Sequence, residues 1–459
     1  MTRAHVAVVG GGFAGLAAGV RLARGGARVT LLERRPFLGG RAYSFADPAT
    51  GDVVDNGPHA LMGAYTEALD FLAEIGATGK LAVQRRLHVA LADPVRGLGA
   101  VAAPPLPGPL QAPAALLRYR LLSPADRVRL LAGAVRLATR PPAALAGTTV
   151  AAALAAVGQP PSTRTRFWNP LAIATLNEVP EAAAAAPFAA VLRKAFFAGA
   201  RAARFALATV PLSALYTDDA RRVIENAGGI VRTGAVVATL ALDDGRVAGV
   251  VLRDGERIAA DAAVIALPCA ALLRILPDAL RDAPAYRRLA GLATSPIVSL
   301  HLWLDRAVGW GGPFLGLLES RAQWLFDCGA SRDGGHRIAS VTSGARFWDE
   351  TGDDAIVAEV LADARAVLPS LAGATVRHAR VIRERHATLS LTPAADAVRP
   401  PVDTPLPNLF LAGDWIRTGL PATIEGAVLS GRAAATRALA VRTAATVPAV
   451  ELRTSGAGF

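Results

Sequence analysis

The N-terminal segment carries the clearest pattern of apolar positions in the chain. Residues 5–9 (HVAVV) form a short apolar run that predicts a buried strand, and residues 28–33 predict a second one. Between them, apolar residues recur at helical spacing from about Ala14 to Arg24. This order of strand, helix and strand predicts the βαβ unit of a parallel sheet.

Helical patterns dominate the middle of the chain. A helix is expected over residues 65–75, and from 96 to 205 proline-broken loops alternate with helices rich in Ala, Leu and Arg. One of these begins at Ser123-Pro124, because Ser caps helices and Pro suits the first turn. The apolar face that this helix is expected to bury consists of Val128, Leu131 and Val135. Residues 193–205 are predicted to form another basic, amphipathic element.

Residues 230–268 change to a strand pattern. Asp244-Gly245 interrupts one apolar run and Asp254-Gly255 precedes another, and both pairs are strong hairpin signals. Further on, strands are predicted over 297–304 and 408–412, and helices near 354–367 and 425–440.

The strand and helix patterns predict an α/β (α+β) fold. The positions of the motifs described below, rather than periodicity, indicate that its domains are interleaved. A nucleotide-binding domain is expected to consist of residues 1–95, 206–275 and 395–445, a substrate domain of 96–205 and 276–394, and a flexible tail of 446–459.

Composition and charge narrow the function. Hydrophobic residues make up 52% of the 459 residues, and the formal net charge is +12. Because the arginines are scattered and no aromatic-rich basic module is present, we expect no nucleic-acid partner. A basic surface suits an anionic membrane, so a peripheral membrane contact is expected, with no spanning helix. Two cysteines, Cys269 and Cys328, favour a reducing cytoplasm and no metal cluster.

A glycine motif follows the first strand. Gly10, Gly12 and Gly15 form G-x-G-x-x-G at the start of a helix, and Glu33 ends the second strand. The glycines permit a tight turn, close approach of the backbone to a pyrophosphate, and close packing of helix on strand. A carboxylate at Glu33 would accept hydrogen bonds from ribose hydroxyls. Together these features predict a dinucleotide site.

Two further segments favour FAD over NAD. Arg34 and the Leu38-Gly39-Gly40-Arg41 run follow the acid, where Gly40 and Arg41 could wrap a longer cofactor. Residues 409–414 (LFLAGD) form a strand that ends in Gly413-Asp414, the strand end at which open α/β sheets bind ligands. The remaining expected cofactor contacts are Ala422, Thr423 and Ile424, which enter a helix through small residues, and Val236.

These motifs resemble the glutathione-reductase-like flavoproteins of the amine oxidase and phytoene desaturase superfamily. Residues 55–59 (DNGPH) with 63–65 (GAY), and 167–171 (FWNPL), resemble blocks of the hydroxysqualene dehydroxylases. The resemblance runs from residue 5 to about 440. The family commonly has Gln where Pro58 stands, and this departure leaves the role of His59 open.

The resemblance implies a Rossmann FAD-binding fold and the reductive conversion of hydroxysqualene to squalene. Reduced flavin would supply a hydride while water leaves. His59 would be the acid or, alternatively, form a structural hydrogen bond near the cofactor, and Asp55 would fix its loop. Residues expected to line the cavity for the long isoprenoid are Trp168, His301 and Trp324. The electron donor is not identified by the sequence.

Three other functions are compatible with the sequence. A phytoene-type carotenoid desaturase and a flavin amine oxidase share the same cofactor domain. The third is a flavin-carrying lipid-binding factor without turnover. Bleaching of the flavin by a reductant and its recovery on addition of substrate would distinguish an enzyme from this third class.

Overall fold

The protein is described by a computed structural model over residues 3–445. Its strands are β1 (His5–Val9), β2 (Arg28–Leu32), β3 (Ser44–Ala46), β4 (Val53–Asp55), β5 (Ala60–Met62), β6 (Leu81–Val83), β7 (His88–Asp93), β8 (Gly97–Ala102), β9 (Phe205–Ala208), β10 (Ile230–Arg232), β11 (Val237–Asp243), β12 (Arg246–Leu252), β13 (Arg257–Ala259), β14 (Ala262–Ile265), β15 (Thr294–Leu304), β16 (Phe314–Leu317), β17 (Trp324–Ala330), β18 (His336–Ser343), β19 (Val376–Leu389) and β20 (Leu409–Leu411).

The α-helices of the same residues alternate with these strands. They are α1 (Phe13–Arg24), α2 (Thr66–Glu74), α3 (Gly108–Leu117), α4 (Pro124–Thr139), α5 (Val150–Ala156), α6 (Pro161–Thr163), α7 (Asn169–Leu176), α8 (Ala185–Leu192), α9 (Leu212–Asn226), α10 (Cys269–Ile275), α11 (Asp278–Arg281), α12 (Pro284–Arg287), α13 (Asp353–Val367), α14 (Pro369–Ala372), α15 (Pro393–Val398) and α16 (Ile424–Ala445).

A five-stranded parallel sheet forms the centre of the nucleotide-binding half. Its strand order is β10-β2-β1-β14-β20, so strands from three distant parts of the chain lie side by side. The apolar runs form its strands because parallel strands are covered on both faces and exclude polar side chains. The predicted βαβ unit, β1-α1-β2, is confirmed.

Two long helices cross closely on this sheet. A Cβ added at Gly431 of α16 would overlap the backbone carbonyl of Ala14 in α1. Glycine at this crossing therefore lets the two helix backbones touch, with the second turn of α16 against the first turn of α1.

A seven-stranded sheet of order β19-β15-β18-β17-β16-β7-β8 forms the second half. The chain enters it at His88, before the bound at residue 95 expected from the sequence, because β7 pairs with β16. The predicted domain bounds otherwise stay a prediction. The two hairpin signals are confirmed as the turns of the β11-β12-β13 sheet, where Asp244 has φ +44° and Gly245 φ +70°.

The predicted start of a helix at Ser123-Pro124 is confirmed. Ser123 caps α4, since its hydroxyl accepts a hydrogen bond from the backbone N–H of Asp126 at 3.2 Å. The element predicted over 193–205 is shorter than expected. Residues 193–197 form a single π-helical turn that continues α8, and the chain then loops to β9.

The predicted buried face of α4 was wrong at two of its three residues, whereas Leu131 is half-buried against the core. Val128 and Val135 are 60% and 42% exposed, whereas Leu130 and Leu137 on the other side are buried. Both faces of this helix carry apolar residues, so spacing alone did not select the face that packs against α3 and α8.

Residues 446–459, which include the predicted flexible tail, lie outside the described residues. Within residues 3–445, no helix combines the length and apolar character needed to cross a membrane.

Replacing Gly431 with Ala tests the helix crossing. An Ala in an open helical position raises helix stability by about 1 kcal/mol relative to Gly. At residue 431 the methyl group would meet a backbone carbonyl that cannot turn away, so we expect a loss of about 2 kcal/mol in the free energy of unfolding. Denaturant unfolding followed by circular dichroism measures this. The matched control is Gly79→Ala, where nothing lies within 4 Å of the added carbon, and an equal loss there would contradict the interpretation.

Candidate active site

A deep cleft of about 480 Å³ lies between the two halves of the protein. One end is formed by the glycine turn after β1, the 39–42 loop and the start of α16. The other end is formed by the inner face of the seven-stranded sheet and by the segments around residues 167–171 and 191–196. The cleft therefore joins the predicted dinucleotide site to a separate, mostly apolar chamber.

The three motif glycines have different local environments. A Cβ at Gly10, which has φ +112°, would overlap the carbonyl of Ala266, and one at Gly15 would overlap the carbonyl of Gly10. These two glycines make the turn and the helix–strand packing possible. Gly12 is different, because a Cβ there would have its nearest neighbour, the Cα atom of Gly40, at 3.6 Å. Gly12 is thus needed for space in the cleft rather than for the fold.

Glu33 is buried at the base of the nucleotide end. Its carboxylate accepts hydrogen bonds from the backbone N–H of Gly11 at 2.7 Å and of Arg35 at 2.9 Å. A carboxylate has about four lone-pair directions, so it can still accept the hydroxyls of a ribose. Arg34 lies exposed at the rim of this end. Val236 is outside the cleft walls, and its carbonyl accepts from the N–H of Arg253.

Arg41 connects three parts of the site. Its guanidinium forms an ion pair with Asp414 and donates to the carbonyl of Ala387 at 2.8 Å. Burial lowers the pKa of Arg41, but the carboxylates of Asp414 and Glu384 outweigh this effect and the pKa is raised. Gly40, with φ +57°, turns the chain toward Gly12. Arg41 and Asp414 therefore hold each other at the cleft wall.

The loop after β20 is held by a buried arginine that the sequence did not reveal. Arg399 donates to the backbone carbonyls of Asp414 at 3.1 Å, Trp415 at 3.2 Å and Leu420 at 2.7 Å, and also to that of Ile416. Burial lowers the pKa of Arg399. One guanidinium thus fixes the path of the loop that leads from Asp414 to the start of α16.

The start of α16 is joined to α2 by a buried carboxylate. Ala422, Thr423 and Ile424 line the cleft. The side chain of Glu425 accepts from the N–H of Ala68 in the first turn of α2 at 3.0 Å and pairs with Lys194 at 2.9 Å. A carboxylate is stabilised at a helix N-terminus by the unpaired N–H groups there. The segment that carries these three residues is therefore held in place by the next residue in the chain, Glu425.

His59 lines the cleft, and a hydrogen bond holds one edge of its ring. Its Nδ1 lies 2.6 Å from the carbonyl oxygen of Gly57. A carbonyl only accepts, so Nδ1 carries the hydrogen and Nε2 of the neutral ring has a free lone pair. Burial lowers the pKa of His59 most strongly, while Gly57, Asp55 and Glu384 act in the opposite direction. The side chain of Asp55 instead accepts from Ser44 at 2.6 Å, which fits a loop-fixing role.

A few polar groups near His59 also face the cleft. The hydroxyl of Ser299 is 1% exposed and has no hydrogen-bond partner among the described residues. A Cβ at Gly57 would lie 2.7 Å from it, so Ser299 is next to the loop that carries His59. Asn56 donates to Glu384 at 3.0 Å. Neither Ser299 nor Glu384 was predicted from the sequence. Ser299 could have been, because it alternates with apolar residues along β15 and shares a strand face with His301.

Only one of the three expected aromatic or histidine wall residues lies in the cleft. Trp324 is part of its wall. Trp168 is fully buried outside it and donates to Gln159 at 2.7 Å. His301 is on the same face of β15 as Ser299, but the backbone of Asp55 covers it at 2.9 Å, and burial lowers its pKa to about 4. The placement of Trp168 and His301 in this cleft was therefore wrong, although Trp168 lines a second, smaller cavity beside it.

The chamber beyond His59 has apolar walls. They include Leu87, Val89, Leu91, Phe205, Phe314 and Phe326. Among residues 3–445, no group of three or more His, Cys, Asp or Glu side chains is placed to bind a metal ion.

The residues at the nucleotide end fit FAD. Gly12 leaves an open space at the uncapped start of α1, where backbone N–H groups attract phosphate. Glu33 lies below this space, and the 413–424 segment with its small residues continues the cleft toward His59. The assignment of individual residues to cofactor contacts stays a prediction.

The profile of a family described as flavin containing amine oxidoreductase matches residues 13–439. The chain belongs to this family and is an FAD-dependent oxidoreductase. Within it, the chain is 32% identical to a hydroxysqualene dehydroxylase of Rhodopseudomonas palustris, over 95% of this chain and 98% of that protein. It is 29% identical to a hydroxysqualene dehydroxylase of Sinorhizobium fredii, with the same coverage.

Other relatives and solved structures agree with this fold. A 15-cis-phytoene desaturase of Synechococcus elongatus is 27% identical, over 93% of this chain and 94% of that protein. A solved structure of a putrescine oxidase triple mutant superimposes with a TM-score of 0.72 at 16% identity, over 96% of this chain and 99% of that one. The predicted α/β fold with a Rossmann FAD-binding domain is confirmed, and so is the resemblance to hydroxysqualene dehydroxylases.

Gly12→Ala separates cofactor binding from folding. The added methyl group has space in the protein alone but would stand where the backbone approaches a pyrophosphate. We expect the dissociation constant of FAD to rise roughly 10- to 100-fold, the worth of one hydrogen bond to a charged group. Titration of the apoprotein with FAD, followed by flavin fluorescence, measures this. Thermal unfolding of the apoprotein should be unchanged, and a lower midpoint with normal FAD affinity would refute the assignment.

Proposed function

We propose that this enzyme removes the hydroxyl group of a long isoprenoid alcohol of the hydroxysqualene type and leaves the hydrocarbon. The observation that carries the proposal is a cleft in which a small polar cluster around His59 stands between the FAD end and a mostly apolar chamber. Two relatives that match nearly the whole chain are named hydroxysqualene dehydroxylases, and this supports the proposal.

The reaction is a net reduction. The substrate C–O bond breaks, its oxygen leaves as water with one added proton, and the carbon takes up a hydride. When bound in its reduced form, FAD would supply this hydride, which carries both electrons of the reduction. The protein must therefore bind the chain, deliver a proton to the hydroxyl oxygen and exclude bulk water.

His59 is proposed to deliver the proton. Its Nδ1–H is held by the Gly57 carbonyl, so Nε2 is the atom that can exchange a proton with the substrate. In the neutral form Nε2 accepts a hydrogen bond from the substrate hydroxyl. In the protonated form it donates and makes water the leaving group. Because burial lowers the pKa of His59, the protonated form is a strong acid that is scarce at neutral pH.

Ser299 and Glu384 would position and stabilise the reacting group. An unpartnered buried hydroxyl is costly unless a ligand satisfies it, so Ser299 is proposed to hydrogen-bond the substrate oxygen. Glu384, oriented by Asn56, would stabilise positive charge on carbon as the C–O bond breaks.

The apolar chamber would bind the hydrocarbon chain. Each buried CH₂ group contributes about 0.8 kcal/mol, so a long isoprenoid gains most of its affinity without polar contacts. This explains why the described walls beyond His59 carry mainly Leu, Val and Phe side chains.

A phytoene-type desaturase is the second candidate, because a relative of that name matches nearly the whole chain. The two reactions run in opposite redox directions, which makes them separable. Anaerobic, pre-reduced holoenzyme is expected to convert hydroxysqualene to squalene, detected by mass spectrometry with one squalene formed per reduced flavin. Oxidised holoenzyme with phytoene is the comparison. A conjugated polyene from phytoene together with no squalene from hydroxysqualene would overturn the proposal.

The pH dependence tests His59. If its protonated form is the acid, kcat/KM falls about tenfold per pH unit above its lowered pKa. Single-turnover flavin oxidation between acidic and neutral pH should therefore be faster at lower pH.

His59→Gln is expected to lose this slope and about 100-fold or more in rate, with flavin still bound. Asp55→Asn keeps the imidazole ring but removes a charge that raises its pKa, so this matched control should keep the slope and shift it to lower pH. A His59→Gln variant with the full rate and slope would eliminate the acid role.

A further inference from the structure

An apolar patch lies on the outside of the helical middle. It consists of Leu106, Leu110, Leu117, Val128, Val135 and Phe197, with exposures from 41% for Leu106 to 60% for Val128. Leu110 and Leu117 are seven residues apart on α3, and Val128 and Val135 are seven apart on α4. Such spacing places each pair on one side of its helix. Val128 and Val135, which were predicted to be buried on α4, are thus part of this patch.

The charge around the patch is strongly one-sided. Residues 96–177 contain nine arginines and one acidic residue, Asp126. The arginines are Arg96, Arg118, Arg120, Arg127, Arg129, Arg136, Arg140, Arg164 and Arg166. Arg118 and Arg120 are exposed just after α3, and exposed Arg136 follows Val135 on α4. A second protein would need an acidic surface with an apolar centre to match it, whereas an anionic phospholipid bilayer provides both features over any area.

A second cavity opens beside this patch. It has a volume of about 230 Å³ and lies between α3, α4 and residues 192–203, with Val135 and Phe197 among its walls. Leu87, Phe167 and Phe196 line both this cavity and the cleft. Three side chains, two of them aromatic, are therefore shared between a cavity under the apolar patch and the chamber that leads to His59.

We propose that the patch docks on an anionic lipid bilayer and that the second cavity is the route by which a bilayer-dissolved hydrocarbon reaches the cleft. Leu110, Val128 and Phe197 contact the acyl region, while Arg118, Arg120 and Arg136 contact lipid phosphates. Leu87, Phe167 and Phe196 separate the two cavities and must shift when the substrate passes. The route rests on the proposed isoprenoid substrate, whereas the docking does not.

Vesicle binding tests the docking on the full-length holoenzyme. Sedimentation with vesicles of mixed phosphatidylglycerol and phosphatidylcholine is expected to carry the protein down, and vesicles of phosphatidylcholine alone much less. Each arginine near an anionic surface strengthens binding roughly fivefold, so Arg118→Ala, Arg120→Ala and Arg136→Ala together should lower the partition coefficient about 100-fold. Leu110→Asp with Val128→Asp should also release the protein.

Matched variants on another surface are the control. Arg253, Arg257 and Arg288 are exposed outside the patch, and their triple replacement by Ala should change the partition coefficient far less. Equal losses in both triple variants would show nonspecific charge attraction and overturn the docking surface. So would vesicle-independent dimerisation through the patch, seen as a monomer–dimer shift by analytical ultracentrifugation when Leu110 and Val128 are changed to Asp.

The route is tested by filling the second cavity. Ala200→Trp places a bulky side chain in its wall and should leave vesicle sedimentation unchanged. Uptake of hydroxysqualene from vesicles by pre-reduced holoenzyme, followed by the return of oxidised-flavin absorbance in stopped flow, should slow at least tenfold. Ala259→Trp, exposed on β13, is the control. Unchanged uptake in Ala200→Trp would refute the route, while normal docking together with absent hydroxysqualene uptake in the unmodified enzyme would instead count against the proposed substrate.

Discussion

The ion pair between Arg41 and Asp414 is the contact on which the site depends. It joins the loop after β2 to the loop after β20, and the same guanidinium reaches the backbone of β19 in the other half. Asn56 adds to this junction by donating to the carbonyl of Arg41 at 3.0 Å. Because the carboxylate of Asp414 is buried, removal of Arg41 would leave a buried charge without its counterion at the cleft wall. The two halves of the protein are therefore coupled where the cofactor and substrate regions meet.

The rest of the site follows from the need to enclose a reaction in a dry cleft. Backbone N–H groups and Glu33 provide polarity at the nucleotide end, and Arg399 orders the loop that closes it. In the chamber, polarity is concentrated around His59 and Ser299. Electrostatic interactions are stronger where water is excluded, so a few polar groups suffice. A fully apolar cleft could bind the isoprenoid chain of the substrate but could not protonate its hydroxyl group.

The outside of the helical middle suggests how such a substrate could be supplied. A hydrocarbon that partitions into lipid is scarce in water, so an enzyme gains from taking it directly from a bilayer. The exposed face of α4, the arginines around it and the shared walls of the two cavities lie on one continuous part of the molecule. Both the proposed membrane docking and the proposed reaction require that this region shields the isoprenoid from water.

Local signals along the chain were enough to predict the nucleotide-binding framework. The glycine spacing after β1, the acid at residue 33, the hairpin turns and the strand that ends at Asp414 are local signals, because turn geometry and strand burial depend on neighbouring residues. Which residues meet in space depended on the packing of distant segments. Val128 faces outward because its helix packs through the opposite side, His301 is covered by the backbone of Asp55, and Trp168 lies behind the cleft wall. Periodicity defines the faces of an element, but contacts between distant segments select which face is buried, and these contacts are not encoded at any single position.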